Sequence, residues 1–223
     1  MKRFDVDTVV FDLDGTLIDS KKDIATALNK TFIEMDYEPL PMETIAGFVG
    51  NGVAPLIRRA VEVAGHTERL EEVMTLFRRH YWDHLLDSTR LFEGVSETLE
   101  KLDGRYHMGL VSNKPERYTK RIVAELGLAP FVGNAVFGGD TLPVKKPDPS
   151  ALLEISRIYS TPASRMLLVG DSAVDVQTAK NAGARSVGVT YGFRDVRELV
   201  DAGADALIGQ FSGLVEILGV DET

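Results

Sequence analysis

Two aspartates, Asp12 and Asp14, end an apolar and β-prone stretch near the start of the chain, and Gly15 and Thr16 follow them directly. Residues i and i+2 of a β-strand share a face, and two carboxylates held that close repel each other and raise each other's pKa. The pair therefore requires a counter-ion, a shared proton or a turn that aims the two groups apart.

Residues with reactive or charged side chains follow four of the predicted strands, including the first. In chain order, the sets are Asp12 and Asp14 after strand 6–11, Ser112 and Asn113 after strand 107–111, Lys146 beyond strand 135–137, and Asp171 and Asp175 after strand 166–169. A single Asp after a strand is most often a helix cap or a turn residue, and a lysine before proline is often a solvated loop charge. Those explanations give no reason for acids, a hydroxyl and a lysine to occur at successive strand ends.

The charge of the four aspartates predicts a bound cation, because carboxylates gathered in one cleft repel each other. Oxygen ligands without Cys or a nearby His favour a hard cation, above all Mg²⁺. Together with Lys146, a serine hydroxyl and turn amides, such a cation would receive a phosphate dianion and stabilise phosphoryl transfer. A carboxylate facing phosphorus can attack it to form an aspartyl-phosphate, and a second acid can protonate the leaving oxygen and activate water.

Strands and helices alternate after Gly94, which predicts an α/β fold with a doubly wound, Rossmann-like parallel sheet and helices on both faces. The block from about Asp19 to Leu86 has helical periodicity throughout, with its fourth helix running from about Thr67 to Leu86. We therefore expect a catalytic core over 1–17 and 88–223 and an inserted all-helical cap domain over 18–87. Ligands of open parallel sheets bind at the carboxyl ends of the strands, where the polar sets lie.

Composition limits the partners of this chain of 223 residues. Its formal net charge of −9 opposes binding to nucleic acid or an anionic membrane. The start MKRFDVD lacks the apolar region of a signal peptide, and no apolar run is long enough for a membrane helix, so we expect a cytoplasmic protein. The absence of Cys excludes disulfides, thiolate–zinc sites and cysteine nucleophiles. We expect a small phosphorylated metabolite as the partner, and a monomer or weak homodimer.

The motifs DLDGTL at 12–17, SN at 112–113, KP at 146–147 and GDSAVD at 170–175 resemble the four motifs of the haloacid dehalogenase superfamily, in the same order. The helical block lies where one subgroup carries a helical cap after the first motif. Three further stretches resemble the members of that superfamily that hydrolyse 2-phosphoglycolate: FVGNGVAPLIRRA at 48–60, FGGDTLPVKKPDPSALL at 137–153 and SVGVTYGF at 186–193. A departure is Glu93, where the family more often has proline, and it concerns the linker between cap and core.

The resemblance implies a role for each strand-end residue. Asp12 would be the nucleophile and a metal ligand, and Asp14 the general acid/base with its backbone carbonyl on the metal. The phosphate clamp would consist of Ser112, Asn113 and Lys146, and the remaining Mg²⁺ contacts would come from Asp171 directly and from Asp175 as a ligand or a partner of one.

Three alternatives share parts of this chemistry. A sugar-phosphate phosphatase or a β-phosphoglucomutase-like phosphotransferase would use the same residues. A receiver-like signalling module would also accept phosphate on an aspartate, but such modules are about half this length and lack an inserted cap. A hydrolytic dehalogenase is disfavoured because it needs no second acid at Asp14.

The predicted cap contains weaker signals. Asn51, between Gly50 and Gly52, is expected to face the cleft, and Arg58 and Arg59 are candidates for contact with a substrate carboxylate, although a solvated charge explains each arginine equally well. A zinc site at His80 and His84 is disfavoured, because position 81 is not Glu and charged neighbours indicate a solvated face. The stretch GFVGNG follows no strand, which argues against a dinucleotide-binding loop.

Overall fold

The computed structural model describes residues 3–220, and its centre is a six-stranded parallel sheet with the order β5-β4-β1-β6-β7-β8. The strands of this sheet are β1 (Thr8–Phe11), β4 (His107–Val111), β5 (Val136–Phe137), β6 (Met166–Gly170), β7 (Arg185–Val189) and β8 (Ala206–Ile208). This confirms the predicted doubly wound α/β fold, and the four strands predicted to precede the polar sets agree with β1, β4, β5 and β6 to within two residues at each end.

The strand β1 lies inside the sheet, and its four residues TVVF are all buried. Apolar runs without polar alternation are expected of parallel strands that are covered on both faces. Alternate residues enter different clusters: Val9 and Phe11 belong to the larger hydrophobic core, and Val10 packs in a second cluster with Leu152 and Ile155. Helices therefore cover both faces of the sheet.

The register of the sheet determines which residues emerge together at its carboxyl edge. Phe11 of β1 lies opposite Leu110 of β4 and Val169 of β6. The chain segments that begin at Asp12, Ser112 and Gly170 consequently leave the sheet at nearly the same level.

Helices of the core connect the strands. They are α5 (Val95–Leu102), α6 (Glu116–Glu125), α7 (Ala129–Val132), α8 (Ser150–Tyr159), α9 (Ala173–Ala182), α10 (Val196–Asp201) and α11 (Gly213–Leu218), with a 3₁₀ turn at Ala163–Arg165. The short α7 and the 3₁₀ turn were not part of the alternation of strands and helices predicted after Gly94. A segment of four residues is too short to show a helical period.

Four helices lie within residues 19–86, as the block with helical periodicity predicted. They are α1 (Lys21–Glu34), α2 (Met42–Ala46), α3 (Val53–Ala64) and α4 (Leu70–Asp83), with a 3₁₀ turn at Thr67–Arg69 before α4. Helix α1 packs against α2 and α4, and α3 packs against α4. We call these four helices with their connecting loops the helical cap; the exact domain boundaries at 17/18 and 87/88 stay a prediction.

The predicted end of the fourth cap helix at Leu86 is wrong, because α4 ends at Asp83. The chain beyond it turns back toward α1, where the buried carboxylate of Asp23 accepts hydrogen bonds from the Ser88 and Thr89 amides at 2.9 and 2.7 Å. It also accepts one from the Thr89 hydroxyl at 2.8 Å. These three bonds stabilise the turn in place of a last helical turn.

A two-stranded antiparallel ribbon, β2 (Ile18–Asp19) with β3 (Arg90–Leu91), lies where the chain enters and leaves the helical cap. The sequence analysis did not predict it, because two residues are too few for a strand pattern. Within residues 3–220, no helix combines the length and the apolar character needed to cross a membrane.

Prediction for the helical cap. Phe32 is fully buried on α1, whereas its neighbour Ile33 is 61% exposed. Phe32→Ala should lower the free energy of unfolding by about 3–5 kcal/mol, because it removes a packed ring and leaves a cavity. The matched control Ile33→Ala should change it by no more than about 0.5 kcal/mol. Urea denaturation measures both variants, and equal stabilities would contradict the packing described for α1.

Candidate active site

Three buried carboxylates from two strand ends form the centre of the site. Ligand oxygens of Asp12, Asp171 and Asp175 lie within 4.8 Å of one another, and each residue is at most 5% exposed. Asp12 follows β1, and the other two follow β6, which pairs directly with β1. The structure thus brings together three of the four aspartates predicted for a metal site.

Lys146 provides the positive charge inside this acidic cluster. Its Nζ lies 2.7 Å from Asp12 Oδ1 and 2.6 Å from Asp175 Oδ1, and the residue is 4% exposed. Burial alone would lower the pKa of Lys146, but the charges of Asp12 and Asp175 outweigh burial and raise it above its usual value. The lysine is therefore an ammonium ion fixed between two acids.

One ammonium does not neutralise three carboxylates. Burial raises the pKa of Asp12 to about 7; Lys146 opposes this rise, and Asp175 and Asp14 add to it. Burial, followed by the charges of Asp12 and Asp175, raises the pKa of Asp171 well above its usual value. An all-oxygen donor set with excess negative charge fits a hard divalent cation. Asp12, Asp171 and Asp175 are the residues that could hold it.

Asp175 combines two tasks through its two carboxylate oxygens. Its Oδ2 accepts hydrogen bonds from the backbone N–H and the hydroxyl of Ser172 at 3.2 and 2.6 Å, which caps α9. Its Oδ1 contacts Lys146. Asp175 is therefore both a helix cap and a member of the charged site, and the cap fixes the orientation of its carboxylate.

The carboxylate of Asp14 points to different partners from that of Asp12. Its Oδ1 accepts hydrogen bonds from the Ser20 hydroxyl and from Lys114 Nζ, both at 2.5 Å. Gly15, which directly follows Asp14, adopts a left-handed φ of 83° and donates its N–H to the carbonyl of Ile18. The glycine turn and the separate lysine partners reduce the repulsion between the carboxylates of Asp12 and Asp14.

Lys114 is a site residue that the sequence analysis did not select. It is 6% exposed and forms its ion pair with Asp14 beneath the helical cap. The signal was present, since Lys114 directly follows the Ser112-Asn113 pair at the end of β4.

Ser112 and Asn113 lie beside the acidic cluster and are buried. The Ser112 hydroxyl accepts a hydrogen bond from the Lys114 backbone N–H at 3.3 Å. The Asn113 side-chain amide donates to the carbonyls of Gly50 and Lys146, both at 3.1 Å, and so joins the helical cap to the Lys146 loop. Phosphate binding by Ser112, Asn113 and Lys146 stays a prediction.

The loop after β7 supports Asp171 without any charged group in its Thr190–Gly192 stretch. The Phe193 N–H donates to Asp171 Oδ2 at 2.7 Å, and the Tyr191 hydroxyl donates to the Thr16 carbonyl at 2.8 Å. A Cβ at Gly192 would lie only 2.3 Å from the Asp171 Cβ. This strand end was not predicted as part of the site because its residues Thr190–Gly192 carry no charge.

A small cavity of about 40 Å³ separates the strand ends from the helical cap, which is room for only a few water molecules. Asp12 and Asp14 lie on its core side, and Ile24, Leu56, Phe77 and Tyr81 form much of its cap side. An apolar wall next to charged groups strengthens their electrostatic interactions by excluding water.

Core side chains hold the helical cap over this cavity through its backbone carbonyls. Lys145 Nζ donates to the Asn51 carbonyl at 2.6 Å, and Arg194 donates to the Gly47 carbonyl at 2.6 Å. Arg121 donates to the carbonyl of Trp82 at 2.9 Å.

The residues predicted for specificity in the helical cap lie outside the cavity wall. Gly50 and Gly52 line the cavity, but Asn51, Arg58 and Arg59 are not among its lining residues. Arg58 is exposed and Arg59 is half-buried.

His80 and His84, the histidines considered for a zinc site, have separate acidic partners. The ring of His80 lies 2.7 Å from Glu34, and that of His84 lies 2.7 Å from Asp87.

Residues 9–189 match the haloacid dehalogenase-like hydrolases. The chain belongs to this family. It is 40% identical over 207 residues to the phosphoglycolate phosphatase of Pseudomonas putida, which covers 90% of this chain and 75% of that protein. It is also 35% identical over 227 residues to the phosphoglycolate phosphatase of Vibrio parahaemolyticus, with 99% of both chains covered.

A solved structure agrees with this assignment. The crystal structure of a predicted phosphoglycolate phosphatase from Haemophilus somnus matches with a TM-score of 0.89 at 28% identity, covering 97% of this chain and 99% of that one. The resemblance of the four motifs to the haloacid dehalogenase superfamily is thereby confirmed. In this haloacid dehalogenase-like hydrolase the four motifs meet at the carboxyl edge of the sheet.

Prediction for the Asp171 support. Gly192→Ala should lower the free energy of unfolding by about 1–3 kcal/mol, because the new methyl group overlaps Asp171 and the Gly15 carbonyl. Gly209→Ala is the matched control, since its Cβ would make only an ordinary contact of 3.9 Å with Thr190. Chemical denaturation compares them, and a Gly192→Ala protein as stable as the control would contradict the close approach.

Proposed function

We propose that this protein is a Mg²⁺-dependent phosphomonoesterase that forms an aspartyl-phosphate on Asp12 and hydrolyses 2-phosphoglycolate to glycolate and phosphate. The observation that carries the proposal is the arrangement of two acids with different surroundings. Asp12 lies with Lys146 and the two other aspartates, and Asp14 is turned toward Lys114 and Ser20. Two acids at one cavity with separate partners match the separate roles of nucleophile and general acid/base.

In the proposed reaction Asp12 forms the bond to phosphorus, and Asp14 transfers the protons. Asp12 attacks phosphorus, and the bond from phosphorus to the ester oxygen breaks while Asp14, which enters this step as the protonated acid, gives its proton to that oxygen and becomes the carboxylate that pairs with Lys114. Asp14 then takes a proton from water, which attacks phosphorus and releases inorganic phosphate from Asp12. Lys146, held beside Asp12, stabilises the negative charge of the transferring group.

The acidic cluster supports Mg²⁺ as the cofactor of this reaction. Asp12, Asp171 and Asp175 would hold the ion, and the Asp14 backbone carbonyl is a further candidate ligand. A bound Mg²⁺ would neutralise part of the cluster's charge and orient the phosphate oxygens.

Two observations support 2-phosphoglycolate as the substrate. The relatives from Pseudomonas putida and Vibrio parahaemolyticus carry the name phosphoglycolate phosphatase. The cap side chains that line the cavity are apolar apart from the Tyr81 hydroxyl, so they offer few partners to the hydroxyl groups of a hexose and suit a leaving group of two carbons better. This lining therefore favours 2-phosphoglycolate over the substrates of the sugar-phosphate phosphatases and β-phosphoglucomutase-like phosphotransferases. The net charge of −9 fits a small metabolite as partner rather than nucleic acid or a membrane surface.

A receiver-like phospho-acceptor is a poorer match, because such a module does not need Asp14 beside the acceptor or a helical cap over it. A cytoplasmic location and a monomeric or weakly dimeric state stay predictions of the sequence.

Prediction for the nucleophile. Asp12→Asn should reduce turnover by at least about 10³-fold and abolish acid-stable phosphoenzyme, because an amide oxygen is a poor nucleophile. Asp19→Asn is the matched control and should keep both, since Asp19 lies on β2, outside the cavity wall. Rapid quenching with radiolabelled substrate measures both variants, and full activity of Asp12→Asn would exclude the proposed mechanism.

Prediction for metal and substrate. Phosphate release from 2-phosphoglycolate should require divalent metal, stop when EDTA is added and return with excess Mg²⁺. Glucose 6-phosphate and fructose 6-phosphate should be turned over at least about 10-fold less efficiently, because the apolar cap side chains leave most hexose hydroxyl groups without hydrogen-bond partners. Activity that survives complete removal of metal would refute the charge argument, and a preference for a hexose phosphate would refute the substrate assignment.

A further inference from the structure

Lys114 has hydrogen-bonding capacity that Asp14 does not use. An ammonium group has three N–H donors. One meets Asp14 Oδ1 at 2.5 Å, and residues 3–220 offer the Lys114 ammonium no second hydrogen-bond acceptor. The nitrogen also lies 5.1 Å from the centre of the Tyr81 ring, a cation–π contact from the helical cap. A buried ammonium with unused donors at a cavity wall is prepared to receive an anion.

Tyr81 adds a second unused donor at the same cavity. It lies on α4, is 2% exposed and lines the cavity opposite the strand ends. Its hydroxyl has no hydrogen-bond partner within the described residues. A buried hydroxyl without a partner is costly, so a ligand that supplies an acceptor would recover that free energy.

Lys114 is the only cation among the described residues that line this cavity. Two core cations that contact the helical cap, Lys145 and Arg194, bind the Asn51 and Gly47 carbonyls instead. The predicted candidates Arg58 and Arg59 lie outside the cavity wall. A second negative group on a substrate therefore has one cationic partner here.

The chemistry of the substrate places its carboxylate next to this cation. In 2-phosphoglycolate the ester oxygen and the carboxylate oxygens are separated by three bonds, or about 3 Å. Asp14 must touch the ester oxygen to protonate it. The carboxylate then lies within reach of a group that already contacts Asp14, which is Lys114.

We infer that Lys114, together with the Tyr81 hydroxyl, is the subsite that recognises the substrate's carboxylate and so sets the preference for a phosphorylated hydroxy acid. This inference rests on the proposed function, since Asp14 must be the acid that meets the ester oxygen. The core supplies the charge and the helical cap supplies the neutral donor, so the subsite is complete only when the cap lies over the sheet. Specificity is thereby coupled to closure.

The test uses two substrates that differ in the carboxylate. The probes are 2-phosphoglycolate and ethylene glycol monophosphate, which has the same two-carbon length and a neutral hydroxyl instead. The variants are Lys114→Met and Tyr81→Phe, with Lys120→Met as matched control, because Lys120 is a 62% exposed lysine on α6. For each protein, kcat and KM are measured for both substrates, and circular dichroism verifies folding.

The inference predicts a selective loss. Lys114→Met should lower kcat/KM for 2-phosphoglycolate at least about 50-fold more than kcat/KM for ethylene glycol monophosphate, because a charge-assisted contact is lost with one substrate only. Tyr81→Phe should raise KM for 2-phosphoglycolate by about 3–10-fold with little change for the neutral ester. Lys120→Met should change neither ratio.

Other outcomes overturn the inference. Equal losses for both esters would make Lys114 a residue that only positions Asp14, and no loss would remove it from the site altogether. If Lys114→Met fails to fold because Asp14 loses its buried partner, Tyr81→Phe decides the question, and an unchanged substrate ratio in that variant refutes the inference. Failure of the proposed function looks different, because the wild-type protein itself would then not hydrolyse 2-phosphoglycolate.

Discussion

The structure depends on one electrostatic constraint, the incomplete neutralisation of buried carboxylates at the carboxyl edge of the sheet. Lys146 contacts Asp12 and Asp175 directly, and residues 3–220 supply no separate cation to Asp171 in the same cluster. Charges buried this deeply persist only with partners that compensate their lost hydration. The strand ends, the α9 cap and the loop after β7 all converge on this cluster, and the proposed function adds Mg²⁺ and then a phosphate group to it.

The helical cap completes this electrostatic site rather than simply covering it. Its Gly50 carbonyl accepts a hydrogen bond from the Asn113 amide, which also binds the Lys146 carbonyl. On the other side, Phe193 binds Asp171 while the next residue, Arg194, binds the Gly47 carbonyl. Core segments that hold the charged groups are thus the segments that hold the helical cap. Closure of the cap and the order of the acidic cluster are consequently linked through short, direct contacts.

Much of this site could be predicted from the sequence because parallel strands place their carboxyl ends at one edge. Asp12, Lys146, Asp171 and Asp175 were found from residue type and strand order, and the structure places them together. Gly192 escaped prediction because its contribution is the absence of a side chain, which has no charge pattern to reveal it. The cavity wall formed by the helical cap could not be predicted from the sequence either. Periodicity shows which face of a helix is apolar, but the docking of that face on the core depends on contacts between residues far apart in the chain.

The central claim is that Asp12 becomes phosphorylated during turnover, and trapping the acyl phosphate tests it most directly. The enzyme is mixed with 2-phosphoglycolate and Mg²⁺, quenched during the first turnover and treated with borohydride, which reduces an aspartyl-phosphate to homoserine. Peptide mass spectrometry then locates the reduced residue. The account predicts homoserine at position 12 alone, dependent on substrate and metal. Homoserine at another aspartate, or turnover without any reducible intermediate, would contradict it.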